Sequence, residues 1–202
     1  MTRWVALLCA WALPAVAQDT PDPGFPAIYT VTGVASDDAL NVRAAPNVRA
    51  ELLGTLAHDD DWVEVLALSR EGRWAQINIG ERAGWVSTRF LGAREVPTNS
   101  LGLPETLVCL GNEPFWQVRL APSAFILSTP DERGAQPLTF VAPSPENVDL
   151  TQTGLLFDWG FSDSSVRGRI LPGSCSDGMS DRRYGLHYVD PVLGHGCCSI
   201  DE

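Results

Sequence analysis

Lysine is absent from this 202-residue chain; all 14 basic residues outside its three histidines are arginine, set against 25 carboxylates for a net charge of −11. Arg182-Arg183 is the only adjacent basic pair. Binding to a phosphate backbone requires a basic face that releases counterions, so nucleic acid is a poor partner for this chain. The arginine-only complement reads as codon bias and not as chemistry. Long apolar runs are also missing. The N-terminal one, Trp4 to Pro14, has 11 residues, well short of the ~20 that span a bilayer as a helix. No window carries the 3.6-residue period of an amphipathic helix, and no Cys-x-x-Cys spacing is present. What is there is 45% apolar and 19% charged, ordinary globular material for one large or two small cores.

The N-terminus points to export. Met1-Thr2-Arg3 is a short positive start, the apolar run follows, and Ala15-Val16-Ala17 supplies the small residues that a signal peptidase needs. Residues 1–17 are therefore read as a signal peptide cleaved after Ala17. The rival is a lipoprotein box at Leu7-Leu8-Cys9-Ala10, but Leu8 is bulky and only five apolar residues precede Cys9. Cleavage removes Arg3 and Cys9, leaving a net charge of −12 and four cysteines. An even count in an exported chain reads as disulfides. The expected location is periplasmic or secreted, with no transmembrane segment once the signal is gone.

Residues 18–26, rich in proline and aspartate, form an extended leader. Residues 27–94 make a first domain, 95–103 a linker and 104–202 a second domain. The second carries 13 carboxylates against six arginines, the first nine against seven, so acidity is concentrated in the second half. Period-2 alternation predicts strands near Tyr29–Val34, Ala39–Val42, Leu52–Leu56, Trp62–Arg70, Trp74–Ile79 and Arg82–Val86. Gly54 and Gly84 are placed at a bulge or a positive φ. Asp59-Asp60-Asp61 is a solvated turn; three adjacent carboxylates cannot all face one calcium ion. Eight further strands are predicted, near Thr106–Leu110, Trp116–Ala121, Phe125–Ser128, Leu138–Val141, Leu155–Phe161, Val166–Leu171, Tyr184–Val189 and Gly196–Ile200. Turns fall at Ala121-Pro122-Ser123, Pro130 to Gly134 and Pro143-Ser144-Pro145. Asp177 to Arg183 has room for one helical turn.

The blocks Ala39-Leu40-Asn41-Val42-Arg43-Ala44-Ala45-Pro46, Leu53-Gly54-Thr55-Leu56, Val63-Glu64-Val65-Leu66, Trp74-Ala75-Gln76-Ile77 and Gly84-Trp85-Val86-Ser87 resemble, in order and spacing, the bacterial Src-homology-3 (SH3b) family over residues 29–91. The resemblance implies a small barrel of five to seven strands and a role in binding cell-wall peptides or other envelope ligands. Trp74 and Trp85 are read first as barrel core. The competing reading puts Trp62 and one other tryptophan in an exposed groove that stacks on a peptide or sugar ring, with Arg43 and Arg89 pairing peptide carboxylates.

In the second half, Cys109 to Trp116 (with Gly111-Asn112-Glu113-Pro114-Phe115-Trp116), Cys175 to Tyr184 and Gly196-Cys197-Cys198 resemble a family of bacterial envelope proteins with the pattern GxEPFW…CxDGMSDRxY…GC. They are also loosely like the small secreted β domains of the heat-shock lipoprotein and lysozyme-inhibitor type. Neither likeness implies an activity. Adjacent cysteines on a strand point to opposite faces, and a bridge between them is strained. The pairings left open are 109–198 with 175–197, and 109–197 with 175–198. Two chemical readings compete with disulfides. Cys175, Cys197, Cys198, His187 and His195 offer metal-ligand types, and Cys175 with His187 a nucleophile and base; neither has the required spacing or helix. Glu113, Asp177 and Asp181 are candidate carboxylates for glycan cleavage, although loop acids ordinarily cap turn amides.

The expectation is an all-β protein, a small SH3-like barrel followed by a disulfide-linked antiparallel barrel or sandwich, with no cofactor or metal. It is a non-enzymatic binder of a cell-wall or envelope component, a cell-wall hydrolase being the alternative. Its candidate binding residues are Arg43, Trp62, Trp74, Trp85 and Arg89 in the first domain, and Glu113, Trp116, Asp177, Asp181 and Arg182 in the second.

Overall fold

The computed structural model describes residues 26–98, 104–121, 124–131, 133–141, 155–161 and 164–200. The signal segment, nearly all of the leader and the turn at residues 143–145 lie outside them. Within the described residues the chain is all-β and forms two units.

The N-terminal unit is built from β1 (Ala27–Val31), β2 (Ala39–Arg43), β3 (Leu52–Ala57), β4 (Val63–Val65), β5 (Ala67–Leu68), β6 (Trp74–Ile79), β7 (Arg82–Ser87) and β8 (Leu91–Ala93). A 3-10 turn, Thr88–Phe90, joins the last two. The strands make one sheet in the order β3-β2-β7-β6-β5 and another in the order β4-β1-β8. Alternation explains the core: Val31, Leu40, Val42, Val63, Val65, Ala75, Ile77 and Val86 are all buried in one cluster, and the pairs on β2, β4 and β6 are each two residues apart. A Cβ on Gly84 would lie 2.5 Å from Val42 Cγ1, and one on Gly54 2.5 Å from Ile79 Cδ1. Neither glycine has a positive φ. Both are there because another side chain occupies the space a Cβ needs, not to free the backbone. The β2–β3 register does slip between Val42 and Arg43, next to Gly54.

The C-terminal unit consists of β9 (Leu107–Asn112), β10 (Phe115–Ala121), β11 (Ala124–Ser128), β12 (Arg133–Val141), β13 (Leu155–Phe161), β14 (Ser164–Cys175), β15 (Tyr184–Asp190) and β16 (Gly194–Ile200). Each pairs antiparallel with the next, and β16 returns to β9, closing an eight-stranded barrel. Closure removes the free edges an open sheet would expose. The segment at Asp177 to Arg183 holds bends and a single bridge residue, with no helical turn. Its residues are committed to hydrogen bonds that a helix would break.

The barrel interior is organised by Trp116, 4% exposed. A Cβ on Gly111 would collide with its indole, and one on Gly196 would lie 2.6 Å from Cη2. The indole thus lies across two strands that carry no side chain beneath it. Its Nε1–H donates to the Leu193 carbonyl at 2.9 Å, and the Tyr188 ring packs at 4.8 Å, tilted by 55°, a favourable edge geometry. The disulfides are Cys109–Cys198 and Cys175–Cys197. Cys198 points inward with Cys109 into the core, while Cys197 points outward, as neighbours on a strand must.

The two units are in contact. Ile28 of β1 is buried in the barrel's cluster, with Trp62 and Val96 packed against it, while Val31 on the same strand faces its own core.

Overpacking at the indole gives a direct test. Gly111→Ala is expected to cost about 2–3 kcal/mol, read as a lowered urea midpoint. Gly134→Ala, where nothing lies within 4 Å of the added Cβ, is expected to change it by less than about 0.5 kcal/mol.

Candidate functional site

Two concave surfaces concentrate the chemistry. The first lies on the N-terminal unit, a groove of about 440 Å³ walled by Val34, Leu40, Trp74 and Phe90, with Val48 on its rim and Asp38, Asn41 and Arg43 supplying polar groups. Trp74 is half-buried, outside the core cluster, and so is Trp85. The expectation that both fill the core is corrected. The core is filled by β-branched and aliphatic residues, and the two indoles lie on the outer faces of β6 and β7. Arg43 reaches across its hairpin, Nη1 donating to the Ala50 carbonyl at 2.9 Å, and sits opposite Trp85 in register. Arg89, on the 3-10 turn, stacks over Phe90 at 5.6 Å.

Residues 38–92 match a bacterial SH3 domain. The groove therefore belongs to the SH3 domain, whose family members are generally cell-wall-binding modules. No curated protein and no solved structure matches the chain.

Trp62 is elsewhere. It packs against the barrel's apolar cluster, with the Arg94 guanidinium 5.0 Å above its ring. Arg94 in turn pairs with Asp61 at 2.5 Å. The groove thus brings Trp74 and Arg43 together and leaves Trp62, Trp85 and Arg89 outside. In the aspartate triplet, Asp60 accepts from the Trp62 amide at 3.3 Å and Asp61 holds Arg94, so these carboxylates serve separate partners.

The second surface is a cleft of about 800 Å³ on the barrel, between the Asn112–Phe115 turn and the Ser176–Met179 loop, with the Cys175–Cys197 disulfide, His187 and His195 along it. Phe115 is 55% exposed and Met179 67%, and Glu113 stands exposed on the rim. Asp177 is not free to act as a base or acid. It accepts from the Met179 and Ser180 amides at 3.0 Å, from the Ser180 hydroxyl and from the Tyr184 hydroxyl. Partial burial pushes its carboxyl up, but these donors together outweigh that and hold it below the ordinary carboxylate range. The disulfide takes Cys175 and Cys197 out of nucleophile and metal-ligand roles while it is intact. Trp116 lies in the core and not in the cleft.

Asp181 and Arg182 turn toward the SH3 domain instead. Asp181 N–H donates to the Glu81 carbonyl and its carbonyl accepts from Ala83 N–H, both at 2.9 Å. Asn78 grips the Arg183 main chain through both ends of its amide, at 2.7 and 3.0 Å. Arg182 Nη1 reaches the Gly80 carbonyl at 3.2 Å, and its guanidinium stacks over Tyr184 at 5.7 Å. Asp181, Arg182 and Arg183 are thus engaged across the junction between the two units.

Sequence reasoning missed Glu64. It lies between two core valines on β4 and reads as an ordinary solvated position. In the structure its Oε1 accepts from Ile200 N–H of the barrel at 2.9 Å. Desolvation raises its carboxyl from 4.5 to about 7, against the lowering effects of the Ile200 amide and of Arg182. A carboxyl raised on folding contributes stability below its unfolded value and loses it as pH climbs through the folded one. The difference amounts to about 3 kcal/mol across pH 4.5–7.

Glu64→Gln keeps an acceptor for Ile200 and removes the ionisation. Urea unfolding at pH 4 is expected to give wild type and variant within about 0.5 kcal/mol, and at pH 8 the variant is expected to be the more stable by about 2–3 kcal/mol. A constant difference at both pH values contradicts the assignment.

Proposed function

We propose that the protein is an exported, non-enzymatic binding protein of the bacterial envelope, whose SH3 domain takes a cell-wall peptide into the groove beside Trp74. The observation that carries this reading is the groove's mixed lining: Trp74 and Phe90 offer apolar walls, Arg43 a cation and Asp38 a carboxylate. A short peptide with free amino and carboxylate groups presents the complementary set, its carboxylate for the guanidinium and its aliphatic parts for the rings. Export is supported by the signal-like N-terminus and by two disulfides, a bond that is rare in reducing compartments. No helix among the described residues is long and apolar enough to cross a membrane. The barrel acts as a stapled frame, and its cleft, with Phe115, Met179 and Glu113 at the rim, is a second contact surface for an envelope partner.

The hydrolase alternative needs a pair of carboxylates in one site. Asp177 is engaged by its own turn, and Asp181 lies exposed where the chain meets the SH3 domain.

Co-sedimentation with purified peptidoglycan tests the proposal. Wild type is expected to pellet and Trp74→Ala to bind at least about tenfold more weakly, the loss of a buried aromatic contact, with circular dichroism unchanged. Absence of wild-type binding, or equal binding by the variant, overturns it, and clearing of a peptidoglycan zymogram establishes the hydrolase instead.

A further inference from the structure

The two disulfides lie in unlike surroundings. Cys109 and Cys198 face each other across β9 and β16 and are wholly buried in the apolar interior of the barrel. Cys175 and Cys197 sit on the outer side and line the open cleft, 7% and 2% exposed. Thiol–disulfide exchange begins with a thiolate reaching one sulfur of the bond. A reductant entering the cleft meets the second pair; the first lies on the inner side of the same strands, within the barrel's apolar cluster.

The position of Cys175 gives this contrast a consequence. It ends β14, and only Ser176–Arg183 separate it from β15. That segment makes five hydrogen bonds to the SH3 domain, through Asp181, Arg182 and Arg183. Its root is tied to β16 by the disulfide, and two residues beyond Cys175 it is held to the barrel by Asn112, which donates to the Asp177 carbonyl.

We propose that Cys175–Cys197 is a thiol–disulfide exchange site for a dithiol reductant, and that opening it loosens the segment by which the barrel holds the SH3 domain. In the first step a thiolate of the dithiol attacks Sγ of Cys175, the more exposed partner. The Sγ–Sγ bond breaks, and Cys197 leaves with the electron pair and takes a proton. The second thiolate of the dithiol then attacks the reductant's own sulfur in the mixed disulfide, and Cys175 leaves and is protonated likewise. The protein has gained two electrons and two protons, and the dithiol departs as a disulfide. Cys109–Cys198 takes no part and keeps the barrel closed.

The experiment treats oxidised full-length protein with dithiothreitol under native conditions, quenches with iodoacetamide at intervals and maps the labelled cysteines by mass spectrometry. Cys175 and Cys197 are expected to be labelled at least tenfold faster than Cys109 and Cys198 while circular dichroism stays native. In the singly reduced species, hydrogen exchange at the amides of Ala83, Asp181 and Arg183 is expected to rise at least tenfold, with that of Val42 unchanged. Simultaneous reduction, prior reduction of Cys109–Cys198, or resistance of both bonds until the protein unfolds overturns the exchange site. Selective reduction with unaltered exchange at those three amides overturns the loosening.

Discussion

The main-chain pairing of Asp181 with Glu81 and Ala83 fixes how two self-contained β units meet. It is a short parallel bridge, Arg82 against Asp181, and it uses backbone groups at a strand turn that water would otherwise satisfy. Alone it is weak, since a net hydrogen bond contributes about 1 kcal/mol. Its strength lies in what surrounds it. Asn78 closes on Arg183, Glu64 takes the Ile200 amide, and Ile28 is drawn into the barrel's cluster, where full burial of such a side chain adds about 1.5–3 kcal/mol. Together these terms are a sizeable share of the 5–15 kcal/mol by which domains are ordinarily stable. The SH3 domain is thereby held in one orientation, with its β6–β7 turn occupied by the barrel.

That arrangement divides the work between the units. The SH3 domain keeps its aromatic groove, while its Trp62, which an isolated domain would expose, goes to the interface. The barrel spends Trp116, Gly111 and Gly196 on closing itself, and the loop after Cys175 on both cleft and docking. One loop serving two surfaces ties the state of the cleft to the grip on the SH3 domain. Glu64 adds a second sensitivity: its buried carboxyl favours the assembled state in mildly acidic surroundings and opposes it once ionised.

Much of the fold could be read from local pattern. Alternating apolar residues located all eight barrel strands, because a strand buried on one face writes its burial with period 2. The motif around Gly111 and Trp116 was visible as unusual, but its meaning, an indole resting on two bare glycine positions, needs the third strand that brings Gly196 alongside. Gly54 does lie beside a slip in register, as expected, but Gly84 carried the right residue for a different reason, since a close approach from another strand looks in sequence like a backbone requirement. The interface was not legible. Glu64 on the outer face of Val63-Glu64-Val65 is indistinguishable from a solvated acid until another unit covers it, and Asp181 docks through peptide groups that every residue possesses. For the same reason Trp62 and Trp74 could not be ranked as binding residues: what separates them is the barrel's apolar cluster, which only the folded chain brings to Trp62.

Calorimetry of the oxidised full-length chain tests most directly whether the two units form one body. A single unfolding transition at pH 5, with equal calorimetric and van't Hoff enthalpies, is the predicted result. Two resolved transitions, one for each unit, would contradict it.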